Sequence, residues 1–321
     1  MILHKDAQHF MEIIMDTKDY FTIKDPGIVE KDYYVTLFLK RLAQKQIDLV
    51  FKGGTCLSKA FKIINRFSED IDLTLFEEVK RIGDGRRKRF KQAIVSVAEE
   101  LKFPIINIHK TQSDRDFNEY QIDYGTTYPD TTVNPLLLVE TVVFVKSFPT
   151  EHRPIASMIY DYLYEANLTE EIAKFELEPF TLCVQSLERT FIDKVFAVVD
   201  YFMSGKLAKY SRHIYDLYKI YPAIEFNDEF ISLIKRVHLE RKIGSKGLST
   251  QEGVSIQNEL NKVISTEAYR DGYTLLTQPF LFEDVSYDTA SSVLTKIVEG
   301  GCFADTTFLH LSSKKSATII I

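Results

Sequence analysis

The chain has 321 residues, 45% of them hydrophobic and 27% charged, and its formal net charge is −6. This length and composition are typical of a folded globular protein with two lobes. The acidic balance excludes attachment to nucleic acid through the overall field of the protein, although local basic clusters remain. Because no apolar run reaches the roughly 20 residues of a membrane span and no signal-peptide pattern opens the chain, we expect a cytoplasmic protein without a membrane partner.

The first part of the chain alternates predicted helices with short strands. Apolar residues recur at helical spacing over residues 5–16 and 30–46. The run "DLVF" predicts a short strand that ends at Gly53 and Gly54. The following "TCLSKAFKII" predicts a helix with Thr55 as its N-cap.

Further strands and one helix are expected before residue 150. Alternating apolar and polar residues in "EDIDLTLF" predict a strand. Residues 87–102 carry an amphipathic helix pattern, and "PIINIH" and "YQIDYG" are candidate strands. The nearly continuous apolar run "PLLLVETVVFVK", residues 135–146, predicts a central strand covered on both faces.

Pro149 and Pro154 mark an expected boundary, beyond which helices dominate. Helical spacing covers residues 154–165, 187–204, 211–220, 228–243 and 254–264. We therefore predict an α+β protein with a core over residues 1–150 and a largely helical lobe over residues 151–321.

Two carboxylates on the predicted strand "EDIDLTLF" suggest a metal site. Asp70 and Asp72 share one face of the strand, with Cα atoms about 7 Å apart. Carboxylates this close repel unless a cation lies between them, and Mg²⁺ is commonly held by one or two carboxylates together with substrate phosphates. The alternative is a polar strand face in solvent, and both interpretations stay open for an isolated D-x-D pattern.

The preceding glycines supply a candidate phosphate site. Gly53, Gly54 and Thr55 place bare backbone N–H groups at a predicted helix N-terminus, where phosphate is favoured. A third carboxylate, Glu140, lies in the middle of the apolar run 135–146 and would share the metal if its strand adjoins Asp72. An edge strand with Glu140 in water is the alternative.

Four segments resemble the AbiEii/MenT-type nucleotidyltransferases, which are toxins of bacterial type IV toxin–antitoxin and phage-defence systems. The segments are "IVEKDYYVTLFLKRL", "FKGGTCLSKAFKIINRFSEDIDL", "LLLVETVVF" and "SLERTFIDKVFAVVD…SRHIYDLYKI". They follow one another in order between about residues 28 and 220. The resemblance implies a polymerase-β-like nucleotidyltransferase core joined to a helical lobe that closes the active-site cleft.

The family's motif positions fall on particular residues of this chain. They are Gly54, Thr55, Asp70, Asp72, Lys194 and Asp216. Thr55 stands where many nucleotidyltransferases have serine, and Glu140 stands where aspartate is more usual in the third acidic position. The threonine retains the hydroxyl, whereas the longer glutamate changes the reach of the third carboxylate.

Two of these positions also have ordinary structural explanations. Lys194 flanks an apolar helical stripe and is either a phosphate-binding point charge or a surface lysine beside Asp193. Asp216 shares a helix face with Arg212, four residues earlier, so a plain ion pair is an alternative to a catalytic role. His213 is a packed histidine or a general base.

The expected reaction is transfer of NMP from an NTP, with Mg²⁺ held by Asp70 and Asp72. Gly54 and Thr55 would grip the β- and γ-phosphates while the acceptor hydroxyl attacks the α-phosphorus in line. Glu140 would help to deprotonate the acceptor if it reaches the metal. The resemblance implies the remaining roles: Lys194 stabilises the leaving phosphates, and Asp216 orients the acceptor or the nucleotide.

The resemblance suggests the 3′ end of tRNA as the acceptor, a resulting block of translation, and a cognate antitoxin as a possible partner. Small-molecule or protein side-chain acceptors, and a degenerate nucleotide- or partner-binding module, are the alternatives. Basic clusters that form either solvated helix faces or phosphate contacts comprise Arg81, Arg86, Arg87, Lys88, Arg89 and Lys91, and Lys235, Arg236, Arg241, Lys242 and Lys246.

Overall fold

The computed structural model describes residues 2–77, 81–129, 131, 133–243 and 247–304. The chain divides into two compact units. Unit one contains Met1–Thr190 together with Phe280–Glu283. Unit two contains Phe191–Pro279 and the chain from Asp284 onward.

The described residues of unit one form a mixed sheet of six strands. In chain order these are β1 (Leu49–Lys52), β2 (Ile71–Leu75), β3 (Phe117–Asp123), β4 (Leu136–Val142), β5 (Thr150–Ile155) and β6 (Phe180–Gln185). Across the sheet their order is β3-β4-β2-β1-β6-β5. The pairs β2–β4 and β1–β6 are parallel, and the other three are antiparallel.

Strand β4 lies within the apolar run of residues 135–146, which predicted an interior strand. Leu137 and Val139 are fully buried on one face, whereas Leu138 and Glu140 on the other face are half-buried. The strand lies between β3 and β2. The prediction of an interior strand is therefore confirmed, and Glu140 is not on an edge strand.

Unit one also contains helices whose charged side chains hold loops in place. The helices that lie in it are α1 (Ala7–Tyr20), α2 (Pro26–Ala43), α3 (Gly53–Lys59), α4 (Asp84–Leu101), α5 (Met158–Glu165) and α6 (Thr169–Lys174). On α2, buried Glu30 accepts hydrogen bonds from Thr126 and Thr127, and Asp32 accepts from Lys59. Buried charges require such partners, so these α2 residues serve structure.

Unit two is helical throughout its described residues. After α7 (Leu187–Met203), within which the chain leaves unit one, come α8 (Leu207–Tyr210), α9 (Arg212–Ile220), α10 (Asp228–Ile243), α11 (Ile256–Ser265), α12 (Arg270–Leu276) and α13 (Tyr287–Glu299). The apolar face of α9, with Ile214, Leu217 and Ile220 fully buried, packs against α13. Among the helices described in either unit, none is long and apolar enough to cross a bilayer.

The structure differs from the expected organisation near residue 150. Unit one continues to Thr190 because β5 and β6 join its sheet, so the expected boundary at residue 150 lies inside this unit. Pro154 lies within β5, and a proline is tolerated there because β5 is an edge strand. The helix expected from residue 154 begins at Met158 instead.

The candidate strand "PIINIH" is the other local difference. Ile105 forms an isolated bridge to Ile122, and the chain then makes a helical turn over Ile108–Lys110. The prediction of a strand here is wrong. A short apolar run is ambiguous when its periodicity is the only signal, because pairing with a distant strand decides the outcome.

Candidate active site

β1 turns into α3 at a glycine in the left-handed region of backbone conformation. Gly53 has φ +78°, which a residue with a Cβ atom rarely adopts. A Cβ atom on Gly53 would lie 1.9 Å from Asp72 Oδ2. The bend therefore allows the Asp72 carboxylate of β2 to lie directly against the backbone at the start of α3.

Thr55 is not the N-cap of this helix. α3 begins at Gly53, with Lys52 in the N-cap position and no side-chain cap. Thr55 therefore lies in the first turn, where it is fully buried, and its Oγ1 is 3.1 Å from Ser68 Oγ. The N-cap prediction is wrong because the conformational freedom of glycine lets the helix begin two residues earlier.

Arg66 and Ser68, which were not predicted as site residues, lie against the second glycine. A Cβ atom on Gly54 would be 2.7 Å from both Arg66 Nη2 and Ser68 Oγ. Backbone hydrogen bonds of 2.9 and 3.2 Å between residues 65–67 and 280–282 fix the loop that carries them. Their place in the sequence could have indicated them, because "RFS" immediately precedes "EDIDL" in the segment that resembles the family.

Four charged residues stand in register across four neighbouring strands. Asp72 on β2 pairs with Lys52 on β1 and with Glu140 on β4, and Glu140 pairs with Glu119 on β3. Directly opposed residues share one face of a sheet. Asp70 lies one residue before β2 and is half-buried, like Asp72, Glu140 and Glu119. Glu119 was missed because its partner strand cannot be read from local sequence.

The carboxylate row, defined as Asp72, Glu140 and Glu119, fits a hard divalent cation by its chemistry. Neighbouring carboxylates repel, and oxygen ligands are those that Mg²⁺ prefers. Within the described ranges, no group of three or more His, Cys, Asp or Glu side chains is arranged to hold a metal ion. Because Mg²⁺ is commonly bound by protein carboxylates together with substrate phosphates, the chemistry of these residues suits a metal that binds together with a triphosphate.

Lys194 and Asp216, in unit two, form one ion pair. Lys194 Nζ on α7 donates to Asp216 Oδ2 on α9 at 2.6 Å. Lys194 is 6% exposed and Asp216 is fully buried. Lys194 is therefore not a surface lysine, and the structure brings together two residues that the sequence analysis assigned separately.

His213 has an aromatic environment. Its ring stacks with Tyr201 and Tyr210 at centroid distances of 5.8 and 6.1 Å. The two tyrosine rings also stack on each other. These contacts favour the packed histidine over the general base among the two interpretations.

Comparison with known proteins gives one family and one shared fold. Residues 37–293 match the family model described as nucleotidyl transferase AbiEii toxin, type IV TA system. MenT4, a nucleotidyltransferase toxin from Mycobacterium tuberculosis H37Rv, superposes with a TM-score of 0.58 at 16% identity, over 91% of this chain and 89% of that chain. JHP933 from Helicobacter pylori gives a TM-score of 0.43 at 19% identity, over 82% and 88%. No curated protein sequence matches the chain.

The family match covers most of the chain and confirms the resemblance carried by the glycine bend and the D-x-D segment. The likeness to MenT4 shows that the mixed sheet with many helices is the fold of a nucleotidyltransferase toxin, which confirms the predicted fold class. The chain belongs to the AbiEii family of nucleotidyltransferase toxins of type IV toxin–antitoxin systems.

Proposed function

We propose that the protein transfers a nucleoside monophosphate from an NTP to the 3′ end of tRNA and thereby blocks translation in the cytoplasm. The acceptor hydroxyl oxygen attacks the α-phosphorus, the bond to the bridging oxygen breaks, and pyrophosphate leaves with that electron pair. The observation that carries the proposal is the Asp72 carboxylate, which lies against Gly53 and stands in register with Glu140.

The proposal assigns Asp70, Asp72 and Glu140 as metal ligands. A bound Mg²⁺ supplies neutralisation of the triphosphate charge. Gly53 and Gly54 have no side chains, which lets the Asp72 carboxylate and the Arg66 guanidinium lie against the backbone of the bend that we assign to the triphosphate. We assign Glu140, which stands in register with Asp72, to accept the proton of the acceptor hydroxyl.

Additional groups around the bend support triphosphate binding. Arg66 lies against Gly54, and a guanidinium suits phosphate oxygens. Thr55 and Ser68 contribute hydroxyls that contact each other. We assign Lys194 to the leaving phosphates and Asp216 to orientation of the acceptor or nucleotide, as the family motif implies.

Only part of the first basic cluster is exposed and available to contact a tRNA acceptor. Arg81, Lys88 and Arg89 are exposed and available to a phosphate backbone. Arg87 is buried and donates to backbone carbonyls, and Arg86 pairs with a carboxylate at 3.2 Å. These two arginines hold the α4 region together.

The second basic cluster is divided in a similar way. Lys235, Arg236 and Lys242 are exposed on α10. Arg241 pairs at 2.5 Å with a carboxylate of α7. Lys246 lies outside the described residues.

Membership of a type IV toxin family also implies an NTP substrate and a cognate antitoxin.

The deciding experiment offers the purified protein each α-³²P-labelled NTP with Mg²⁺ and either total tRNA or nuclease-treated lysate protein. We expect label on tRNA with one or more NTPs, and none with an Asp72→Asn variant. Periodate oxidation of the tRNA destroys the 3′-terminal diol and serves as the acceptor control, so it should abolish labelling.

Labelling of protein instead of tRNA would overturn the proposed acceptor while leaving nucleotidyl transfer in place. Equal labelling of oxidised and intact tRNA would exclude the 3′ end. Binding of NTP with no pyrophosphate released under any of these conditions would identify a non-catalytic module.

A further inference from the structure

Helix α2 carries a buried lysine that contacts the loops in front of two neighbouring strands. Lys31 is 0% exposed. Its Nζ donates to Glu69 Oε2 at 2.5 Å and to the backbone carbonyl of Asn134 at 2.8 Å. Glu69 immediately precedes Asp70, and Asn134 lies two residues before β4. One ammonium group therefore joins the chain segments that lead into β2 and β4.

Those two strands carry the acidic residues of the proposed metal site. β2 and β4 are parallel neighbours, so the first residues of both strands lie at the same end of the sheet. Asp72 and Glu140 stand opposite each other in this pairing. The side chain of Asn134 also accepts from the backbone N–H of Leu136 at 3.0 Å, which fixes the first residue of β4. Lys31 therefore holds the loop positions that immediately precede the two strands that carry these carboxylates.

The contacts of Lys31 involve a buried charge as well as side-chain packing. Burial lowers the pKa of Lys31, while Glu69 and, more weakly, Asp70 act in the opposite direction. A buried ion pair can often be replaced by apolar residues without loss of stability, so a role beyond stability is a reasonable hypothesis for this pair.

We propose that Lys31 is a positioning residue that sets the relative placement of the Asp70–Asp72 segment and Glu140, and so tunes the affinity of the carboxylates for a divalent metal. This inference rests on the proposed function for the identity of the metal-binding residues. In this proposal Lys31 acts through its contacts with Glu69 and Asn134. Residues that orient metal ligands in this indirect way typically change metal affinity by about 10- to 100-fold.

The test measures binding of Mn²⁺, as a paramagnetic probe, to the full chain in the presence of a non-hydrolysable NTP analogue. Free Mn²⁺ is quantified by electron paramagnetic resonance for the wild type and for Lys31→Met. We expect the Kd for Mn²⁺ to rise about tenfold or more in the variant. The apparent KM for Mg²⁺ in the labelling assay should rise in parallel.

A matched control separates positioning from a general loss of stability. Arg87 is also a buried cation of unit one, 3% exposed, and it donates to loop carbonyls and pairs with Asp116. Arg87→Met should therefore destabilise the protein while leaving the Kd for Mn²⁺ unchanged. Where Lys31→Met does not fold, the double variant Lys31→Met with Glu69→Met is measured instead, because it leaves no uncompensated buried charge.

A wild-type Kd in a folded Lys31→Met or double variant would overturn the positioning role, whatever the wild type transfers. Wild-type protein that binds Mn²⁺ with the analogue but labels no acceptor would overturn the proposed function and leave the positioning role in place. Wild-type protein that binds no Mn²⁺ would overturn both.

Discussion

The carboxylate row of unit one and the Lys194–Asp216 pair of unit two are two opposite arrangements of charged side chains. In unit one, the like-charged residues of the carboxylate row stand in register on adjacent strands and are half-buried. In unit two, Lys194 and Asp216 form a buried pair of opposite charge at 2.6 Å. Like charges that water can reach gain from a bound cation, whereas a buried pair of opposite charge is costly to break. Substitutions should therefore affect activity with little change in stability in the first case, and stability as well as activity in the second.

The largest effect on stability should come from breaking the buried pair. Lys194→Met removes the ammonium group that pairs with the buried Asp216 carboxylate, and we expect a loss of about 3–5 kcal/mol in the free energy of unfolding. Urea unfolding at neutral pH measures it. A loss below about 1 kcal/mol, the range of an exposed pair, would contradict the comparison.

Unit two offers a matched control for that substitution. Lys262 pairs with Glu259 at 2.7 Å, but Lys262 is 61% exposed. Lys262→Met should therefore cost no more than about 1 kcal/mol, because water screens the pair. The double variant Lys194→Met with Asp216→Asn should recover part of the stability lost in Lys194→Met.

The carboxylate row should show the reverse behaviour. Asp72→Asn removes a proposed metal ligand, so we expect nucleotidyl transfer to fall at least about 100-fold. The free energy of unfolding should change by no more than about 1 kcal/mol, because Asp72 is half-buried and has both Lys52 and Glu140 opposite it. Labelling rates and urea unfolding of the same preparation test both parts.

Glu119→Gln is the control for that prediction, since Glu119 belongs to the same row but lies outside the proposed ligand set. It is opposite Glu140 and accepts from Gln121 at 2.7 Å. This variant should retain near wild-type transfer. Loss of activity equal to that of Asp72→Asn would extend the metal site to β3.

A comparison of two glycines with positive φ distinguishes the cost of backbone strain from the cost of a steric clash with Asp72. Gly53 and Gly125 both have positive φ, +78° and +69°, but a Cβ atom would meet Asp72 at Gly53 and nothing within 4 Å at Gly125. Gly125→Ala should therefore cost only the backbone strain, about 1–2 kcal/mol, and preserve transfer. Gly53→Ala should cost more and should also reduce transfer by displacing the Asp72 carboxylate.

Unfolding curves and labelling rates for the two alanine variants provide the measurement. Equal losses of stability and equal activities in both would show that the Asp72 carboxylate moves away from Gly53 without consequence. That outcome would show that the contact between Gly53 and Asp72 is not needed for the proposed site.

The smallest effect should come from a histidine that the core of unit one keeps neutral. Burial, with a contribution from Lys5, lowers the pKa of His4 from 6.5 to about 4. Between these values the unfolded chain takes up a proton that the folded chain does not, so stability falls as the pH drops. The slope from this group should be below about 1.4 kcal/mol per pH unit, because the side chain is partly exposed.

Urea unfolding near neutral pH and at about pH 5 tests this dependence. His4→Gln, which does not titrate, should flatten the difference between the two conditions, whereas His109→Gln on the surface should not. An unchanged pH dependence in His4→Gln would assign the effect to other groups.

Much of unit one was predictable from short stretches of sequence. The alternation around Asp70 and Asp72 predicted β2, and the apolar run predicted β4 as an interior strand. The β5–β6 pair was not predicted, because an edge strand that contains Pro154 carries a boundary signal in isolation. The roles of Lys194 and Asp216 came from the resemblance and stay predictions, although the two side chains form an ion pair in the structure.

The sequence by itself determined the glycine bend and the D-x-D strand, because these depend on backbone freedom and on alternation between residues close in the chain. Only the tertiary structure decided that Glu140 and Glu119 stand beside Asp72, that Arg66 lies against Gly54, and that Lys31 joins two loops. Strand order, register and the pairing of buried charges depend on the packing of segments far apart in sequence, so no local pattern encodes them.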